Sequence, residues 1–165
     1  TIRLGNVIGG GDWSMNRLIP DMMNAIQNDG QFYIRYPNAT RPFQHVLDVV
    51  DGVIKISNAA LSNKIKSGEA WNLGPKNNTV AKVSDVVNLC KNTWPKLKFE
   101  QNPDPVPEDL NLSVEIVKYK SVFGNPKFTS ADALELTIQW YKKYYNSVSF
   151  EELIENELTM YEKSV

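Results

Sequence analysis

Side chains suited to binding anions are concentrated near the start of the sequence. The arginines all precede the lysines along the chain and lie at Arg3, Arg17, Arg35 and Arg41. A guanidinium presents a planar set of donors that suits phosphate or carboxylate, which lysines on solvated helices do not need. Pro42 restricts Arg41 to extended backbone geometry, which makes Arg41 a better candidate phosphate clamp than a free arginine. Chance surface placement or local ion pairs are the alternative explanation.

A glycine-rich stretch, GNVIGGGDW at 5–13, follows an apolar start and could bind a phosphate. A dinucleotide fingerprint needs glycines at i, i+2 and i+5, but Gly9 and Gly11 would place the third at Ser14. The Gly-Lys-Ser/Thr sequence of a P-loop is also absent. The glycines therefore predict a plain flexible turn or a close approach of another molecule to the backbone. Asn6 could reach a ligand beyond the sheet edge, or bond its own loop.

The single histidine and the single cysteine are interpreted as structural residues. Nothing in the sequence supplies His45 with the partner that a catalytic imidazole needs. Cys90 lies on the apolar face of a predicted helix, and one cysteine excludes an internal disulfide or a four-cysteine zinc site. Three tryptophans are expected in the core, at Trp71, Trp94 and Trp140. Trp13, inside the glycine-rich stretch, is a candidate for contact with a ligand or a partner.

Composition limits the class of protein. The chain has 165 residues, of which 42% are hydrophobic and 22% charged, enough for one domain with a real core. Its formal net charge of −1 gives no basic field that would favour nucleic acid. No stretch has the length and apolarity of a membrane span or a signal peptide, so we expect a cytoplasmic protein. Because the chain begins with Thr1 in strand-like sequence, we expect a part of a longer protein.

The elements that position these residues predict a mixed α/β fold with short, separated strands and more helix than sheet. Strands are expected at 1–7, 32–36, 70–73, 97–101 and 112–117, with a brief extended piece at 44–46. Helices are expected at 17–28, 48–63, 84–94, 118–123, 130–145 and 150–163. Loops are expected at 37–43 and at 102–109, where three prolines block regular structure.

Three helix starts have candidate caps. Asp48 is the candidate for the second helix, Thr129 or Ser130 for the fifth, and Ser149 with Glu152 forms a capping box for the last. The second helix is expected to bury an apolar face made of Val49, Val50, Val53, Ile54 and Ala60.

Six segments in a consistent order carry a family resemblance through most of the chain. They are GNVIGGGDW, RLIPDMM, IRYPNATRPFQHVLDVVDG, AWNLGP, LSVEIVKYKSVFGNPKF and WYKKYY. These segments resemble the extended short-chain dehydrogenase/reductase family of sugar-nucleotide enzymes. Within that family they look like the C-terminal half of the CDP-glucose 4,6-dehydratase branch, to which the GGGDW and NATRPFQHV blocks are specific.

The resemblance implies an NAD-dependent enzyme in two parts. A Rossmann domain would bind NAD and hold a Tyr-x-x-x-Lys pair, and a smaller C-terminal domain would bind the sugar nucleotide. This chain has neither that pair nor the glycine fingerprint, so no catalytic residue is assigned to it and the isolated chain is expected to be inactive. Residues 1–16 would end the Rossmann-type sheet and form the crossover loop. Residues 17–165 would form the sugar-nucleotide-binding domain.

The implied substrate is a CDP-sugar. Hydride would leave C4 of glucose, water would be lost across C5–C6, and hydride would return to C6, which gives CDP-4-keto-6-deoxyglucose. The complete enzyme would be a cytoplasmic homodimer. Two alternatives stay open: a related NAD-dependent epimerase or dehydratase for a dTDP- or GDP-sugar, and a non-catalytic fragment that binds a nucleotide sugar.

The resemblance also implies which residues bind. The backbone of Gly5 would lie beside the nicotinamide of NAD, Asn6 would contact the sugar nucleotide near its diphosphate, and Arg41 would bind that diphosphate. Other residues matched to the nucleotide site are Arg17, Leu18, Ile19, Pro20, Ile34, Arg35 and Asn72. Arg3 is expected to serve packing or the domain junction.

Overall fold

The computed structural model describes residues 1–102 and 109–164 as an α/β arrangement, which confirms the expected fold class. The helices are α1 Leu18–Gln27, α2 Val46–Leu61, α3 Val83–Thr93, α4 Val117–Phe123, α5 Ser130–Tyr145 and α6 Phe150–Lys163. The strands are β1 Ile2–Leu4, β2 Asn6–Ile8, β3 Gln31–Ile34, β4 Thr40–Arg41, β5 Phe43–His45, β6 Trp71–Leu73, β7 Ala81–Lys82 and β8 Lys98–Gln101. Most of the proline-rich loop predicted at 102–109 lies outside the described residues.

The strands of the described residues pair two by two. Strand β1 runs parallel to β6, β2 to β5 and β3 to β8, whereas β4 and β7 are antiparallel. The single strand expected at 1–7 is therefore two strands that meet at Gly5, where the chain passes from one partner strand to another. A Cβ at Gly5 would lie only 2.5 Å from the carbonyl oxygen of Pro42, so no side chain fits there. The predicted domain boundary at 16/17 stays a prediction, and these pairs join strands from both sides of it.

Two apolar clusters form the core. The larger lies among α1, β3, α3, α5 and α6, and includes the fully buried Cys90 and the buried Trp140. The smaller lies among α2, β6 and α4, and includes the buried Trp71. Trp94 is partly buried against the larger cluster. The predicted burial of Cys90 and of the three tryptophans is confirmed, fully for two of the tryptophans and partly for the third.

The caps of α5 and α6 confirm the predicted starts of these helices. The Thr129 hydroxyl accepts a hydrogen bond from the Asp132 N–H, and the Asp132 carboxylate accepts from the Thr129 N–H, which together form a capping box. The Ser149 hydroxyl accepts from the Glu152 N–H at 3.2 Å, which is one of the two hydrogen bonds of the capping box predicted there. Each cap satisfies backbone donors that the first helical turn leaves without partners.

The glycine-rich turn packs against α5. A Cβ at Gly10 would overlap the indole ring of Trp140, so glycine is needed for this close approach. Trp13 lies edge-on to Tyr141, with the ring centroids 5.3 Å apart, and the Tyr141 hydroxyl donates to the Asp12 carbonyl at 2.6 Å. The group that passes close to this backbone is therefore an aromatic side chain of the same chain.

Helix α2 starts earlier than predicted and has a different cap. Its N-cap is His45, whose Nδ1 accepts a hydrogen bond from the Leu47 N–H at 3.3 Å. The prediction that Asp48 caps this helix is wrong. An imidazole nitrogen takes the place of the usual Ser, Thr, Asp or Asn oxygen at this N-cap.

Asp48 instead joins three separate parts of the chain. Its buried carboxylate accepts hydrogen bonds from the N–H groups of Lys127 and Phe128, at 2.9 and 3.0 Å, and from the Tyr161 hydroxyl at 2.9 Å. These contacts tie the start of α2 to the segment before α5 and to the end of α6. A buried carboxylate needs such donors to offset its desolvation.

The buried face of α2 is not the predicted one. Val50 and Ile54 are 48% and 53% exposed, and Ala60 is exposed too, so the predicted burial of these three is wrong. The inward face contains Asp48, Val49, Gly52, Ile56 and Ala59. Because apolar residues occur on both sides of α2, apolarity alone did not identify the inward side. We call Val50, Ile54 and Leu61 the outer apolar face of α2.

The prediction of a strand at 112–117 is also wrong. This segment has irregular backbone up to the start of α4. Val114 and Ile116 pack on the smaller apolar cluster, while the Leu112 N–H donates to the Thr40 carbonyl at 3.2 Å. The alternation thus reflects the burial of Val114 and Ile116 in a segment that forms no strand.

The buried thiol and phenols predict a loss of stability at alkaline pH. Burial raises the pKa of Cys90 to about 12, and burial chiefly raises the pKa values of Tyr119 and Tyr145 to about 12. Since the unfolded groups ionise near pH 9 to 10, the unfolded state loses protons that the folded state keeps. Their contribution to the free energy of unfolding is therefore complete below about pH 9 and falls as the pH rises towards 12. We expect the midpoint of thermal unfolding to fall across that window at constant ionic strength.

A variant and an optical signal test this pH dependence. Cys90→Ala removes the group with the lowest pKa in the unfolded state. The stability of this variant should therefore begin to fall at a higher pH than that of the wild type. Tyrosinate absorbance should rise together with loss of the native circular dichroism signal. Ionisation of all the tyrosines near pH 10, with the native signal intact, would contradict the expectation.

Candidate functional site

A cavity of about 570 Å³ lies between the β1–β2 strands, the start of α1, β3 and β4. This volume lies within the range of small-molecule sites in proteins. All but one of the residues predicted to bind line this cavity: Gly5, Asn6, Arg17, Leu18, Ile19, Pro20, Ile34, Arg35 and Arg41. The structure thus brings together residues from four elements, although contact of each with a ligand stays a prediction.

Asn72 is the predicted residue that does not line the cavity. It lies on β6 opposite Arg3 of β1, and its Nδ2 donates to the carbonyl of Glu115 at 3.1 Å. The Asn72 amide therefore holds the segment that precedes α4. Arg3 is exposed and also lies outside the cavity lining.

Arg41 is held in place by backbone carbonyls. It is only 6% exposed, and its Nη1 donates to the carbonyl of Thr40 at 2.8 Å and to that of Leu110 at 3.4 Å. Its backbone is fixed by the pairing of β4 with β7, in which Arg41 lies opposite Ala81. The guanidinium is therefore ordered before any ligand binds, which reduces the entropy lost on binding.

Arg17 has a largely exposed side chain and forms an ion pair with Asp12. Its Nη1 lies 3.3 Å from Oδ2 of Asp12, and the two side chains are 61% and 28% exposed. The Asp12 Oδ1 accepts a hydrogen bond from the Ser14 N–H at 2.9 Å. Partial burial raises the pKa of the Asp12 carboxyl, but the hydrogen bonds from Ser14 and the charge of Arg17 outweigh it and lower the pKa. Asp12 is therefore ionised at neutral pH.

Sequence reasoning missed several residues of the cavity wall. Tyr33 and Phe43 line it, together with two carboxylates, Asp12 and Asp21. Tyr33 is 53% exposed on β3, between the buried Phe32 and Ile34. The period-2 alternation of this strand was a usable signal for Tyr33. An exposed tyrosine offers an aromatic face on which a planar ring can stack.

His45 and Trp13 do not line the cavity. His45 is fully buried, its Nε2 lies 3.4 Å from Oε1 of Glu157, and its ring lies edge-on to Phe128. The structural role predicted for His45 is therefore confirmed. Trp13 packs on the tyrosines of α5, as described above.

The described lining suits an anion that also carries an apolar or planar part. Three arginines and two aspartates line the cavity, together with aliphatic side chains of α1 and β3 and the aromatic rings of Tyr33 and Phe43. In residues 1–102 and 109–164, no group of three or more His, Cys, Asp or Glu residues could hold a metal ion. In the same part of the chain, no helix is long and apolar enough to cross a membrane.

Comparison with known proteins confirms the expected resemblance. The chain is 32% identical over 150 residues to CDP-glucose 4,6-dehydratase of Salmonella typhimurium, a match that covers 87% of this chain and 41% of that enzyme. The chain therefore spans less than half the length of the curated relative that it matches. No family model matches the chain.

Solved structures share the fold. The chain resembles dTDP-glucose 4,6-dehydratase of Bacillus anthracis in complex with NAD, with a TM-score of 0.68 and 26% identity over 86% of this chain and 44% of that one. It also resembles UDP-glucuronic acid 4-epimerase of Bacillus cereus in complex with UDP-glucuronic acid and NAD, with a TM-score of 0.70 and 21% identity over 87% and 45%. The chain thus has the fold of a portion of the extended short-chain dehydrogenase/reductase enzymes.

Proposed function

We propose that this chain is the substrate-binding part of a sugar-nucleotide 4,6-dehydratase that converts CDP-glucose to CDP-4-keto-6-deoxyglucose with bound NAD. The observation that carries the proposal is the cavity in which Arg17, Arg35 and Arg41 meet Asn6. The similarity to CDP-glucose 4,6-dehydratase supports the choice of nucleotide. A cytoplasmic location and a homodimeric assembly of the complete enzyme are part of the same proposal.

The proposed roles follow from the positions of the side chains. Arg41, buried and fixed by carbonyls, binds the diphosphate, because a charge-assisted hydrogen bond to phosphate is strongest where the donor is already in place. Asn6 lies at the start of β2 on the same wall and contacts the sugar nucleotide near the diphosphate. The aliphatic side chains of Leu18, Ile19 and Ile34 provide the apolar wall beside the nucleotide.

NAD supplies the hydride chemistry of such enzymes when it is bound. The described residues do not form a site for NAD by themselves. The backbone of Gly5 is the candidate neighbour of the nicotinamide, its N–H already donates to the Leu73 carbonyl at 3.2 Å, and the chain lacks the glycine fingerprint. We therefore propose that the rest of the enzyme binds NAD and that this chain binds and orients the substrate.

Substrate turnover tests the proposed function. The intact protein, supplied with NAD and with CDP-, dTDP- or GDP-glucose in turn, is expected to form a 4-keto-6-deoxy product from CDP-glucose. Mass spectrometry would detect the loss of water from the sugar nucleotide. Turnover of dTDP-glucose but not of CDP-glucose would contradict the assignment to CDP.

A related epimerase or dehydratase is the second candidate function. It is favoured by the fold, which is shared with enzymes named for UDP-glucuronic acid and dTDP-glucose. An epimerised product without loss of water would support this second candidate. Binding of a nucleotide sugar with no product at all would support a binding fragment without catalysis.

A further inference from the structure

The ion pair between Asp12 and Arg17 is fixed at one end only. Asp12 accepts a hydrogen bond from the Ser14 N–H through its carboxylate and another from the Tyr141 hydroxyl through its carbonyl. Arg17 is the residue of extended backbone directly before α1, and its side chain is more exposed than that of Asp12. The guanidinium of Arg17 is therefore the partner with more freedom to move when the pair rearranges.

We propose that Asp12 holds Arg17 at the cavity wall in the free protein, and that Arg17 leaves Asp12 for a phosphate oxygen when a nucleoside diphosphate binds. Asp12 is then a positioning residue and Arg17 a ligand contact. The inference deepens the proposed function and rests on it, since it requires that the cavity takes a nucleoside diphosphate.

The exposure of the pair makes this exchange easy. An ion pair between exposed side chains contributes little to stability, because water screens it and both side chains lose conformational freedom. A diphosphate offers more negative charge than one carboxylate, and its oxygens match the planar donors of arginine. The diphosphate therefore replaces Asp12 as the partner of Arg17. Because Asp12 competes with the diphosphate for Arg17, the apparent affinity of the protein for the diphosphate is lowered.

The variant Asp12→Asn tests the exchange. Asparagine keeps an oxygen that can accept from the Ser14 N–H, and it keeps the backbone carbonyl that Tyr141 uses, but it loses the charge that holds Arg17. We expect the intact protein to bind CDP about two- to fivefold more tightly, as measured by calorimetry. In an Arg17→Ala background, Asp12 has no arginine to release. The gain in CDP affinity caused by Asp12→Asn should therefore be close to zero there.

Asp21→Asn is the matched control. Asp21 also lines the cavity, but its Oδ1 accepts from the Asn16 N–H at 3.1 Å, and asparagine can retain that bond. Loss of this charge should alter CDP affinity by the same factor with or without Arg17. Asp12→Asn should also leave the affinity for uncharged cytidine unchanged.

Three outcomes would overturn the exchange. They are an unchanged affinity for CDP in Asp12→Asn, an equal gain in both backgrounds, and a similar gain for cytidine. An equal gain in both backgrounds would show that Asp12 only repels the ligand.

Binding of CDP, UDP and dTDP in parallel separates this inference from the proposed function. If UDP or dTDP binds with the expected coupling between Asp12 and Arg17 while CDP does not, the exchange stands and the assignment to CDP fails. If CDP binds but the effect of Asp12→Asn does not depend on Arg17, the exchange is contradicted and the proposed function is not. If no diphosphate binds, both are contradicted.

Discussion

Replacing Arg41 with alanine is expected to weaken CDP binding by about tenfold to 100-fold, the loss typical of a hydrogen bond to a charged group. Arg41 is the buried arginine of the cavity, and its guanidinium is ordered by the carbonyls of Thr40 and Leu110. The ligand thus loses both a charge and a set of donors already in position. Calorimetric titration of the intact protein with CDP measures the change.

Two further variants distinguish the loss of a ligand contact from a structural effect. Arg41→Lys keeps the charge but not the planar donors, so its affinity should lie between those of the wild type and Arg41→Ala. Arg3→Ala removes an exposed arginine outside the cavity lining and should leave the affinity unchanged. Wild-type affinity in Arg41→Ala would remove Arg41 from the proposed site.

The variant Asp48→Ala is expected to lower the free energy of unfolding by about 3 kcal/mol or more, because it leaves three buried or partly buried donors without an acceptor. The donors are the N–H groups of Lys127 and Phe128 and the hydroxyl of Tyr161. Since these groups come from two other parts of the chain, their separation from α2 should loosen α6 as well. Urea unfolding, followed by circular dichroism, measures the change in stability.

Asp51→Ala is the control on the same helix. Asp51 lies one turn further along α2 and pairs with Lys55 at 2.7 Å, a partly exposed i,i+4 pair. Its carboxylate also contributes to the raised pKa of Tyr161, so its loss should cost more than the few tenths of a kcal/mol of such a pair but less than the loss of Asp48. Tyr161→Phe removes one of the three hydrogen bonds to Asp48. Its loss of unfolding free energy should lie between those of Asp51→Ala and Asp48→Ala. Equal stability of Asp48→Ala and Asp51→Ala would show that the buried carboxylate does not hold these segments together.

The fold was predictable wherever a local sequence signal, such as a helix cap, and the pattern of apolar residues indicated the same element. The helix α5 has a capping residue, Thr129, and one continuous apolar face, and its bounds were predicted correctly. The segment 112–117 alternates like a strand, but strand pairing depends on a neighbour that the local pattern does not specify. Within it, Ile116 is buried and Val114 partly buried against the smaller apolar cluster, without a strand ladder.

The candidate site was predictable where side-chain chemistry and resemblance pointed to the same residues. Arg17, Arg35 and Arg41 stood out by composition, and the structure places all three on one cavity. Asp12 was missed because its importance depends on the distance to Arg17. Asp48 was given a local role as a cap, although its partners lie 79 or more positions away along the chain.

The outer apolar face of α2 has a consequence for how substitutions are tolerated. A helix that is apolar on opposite sides is typical of one packed between two layers. If this chain is one part of a larger enzyme, as proposed, and another part of that enzyme covers this face, selection at Val50 and Ile54 would act through that contact. In a mutational scan, polar residues there would be harmless or helpful in the chain alone and harmful in the whole enzyme. The same two positions would covary across relatives with residues that this chain does not contain.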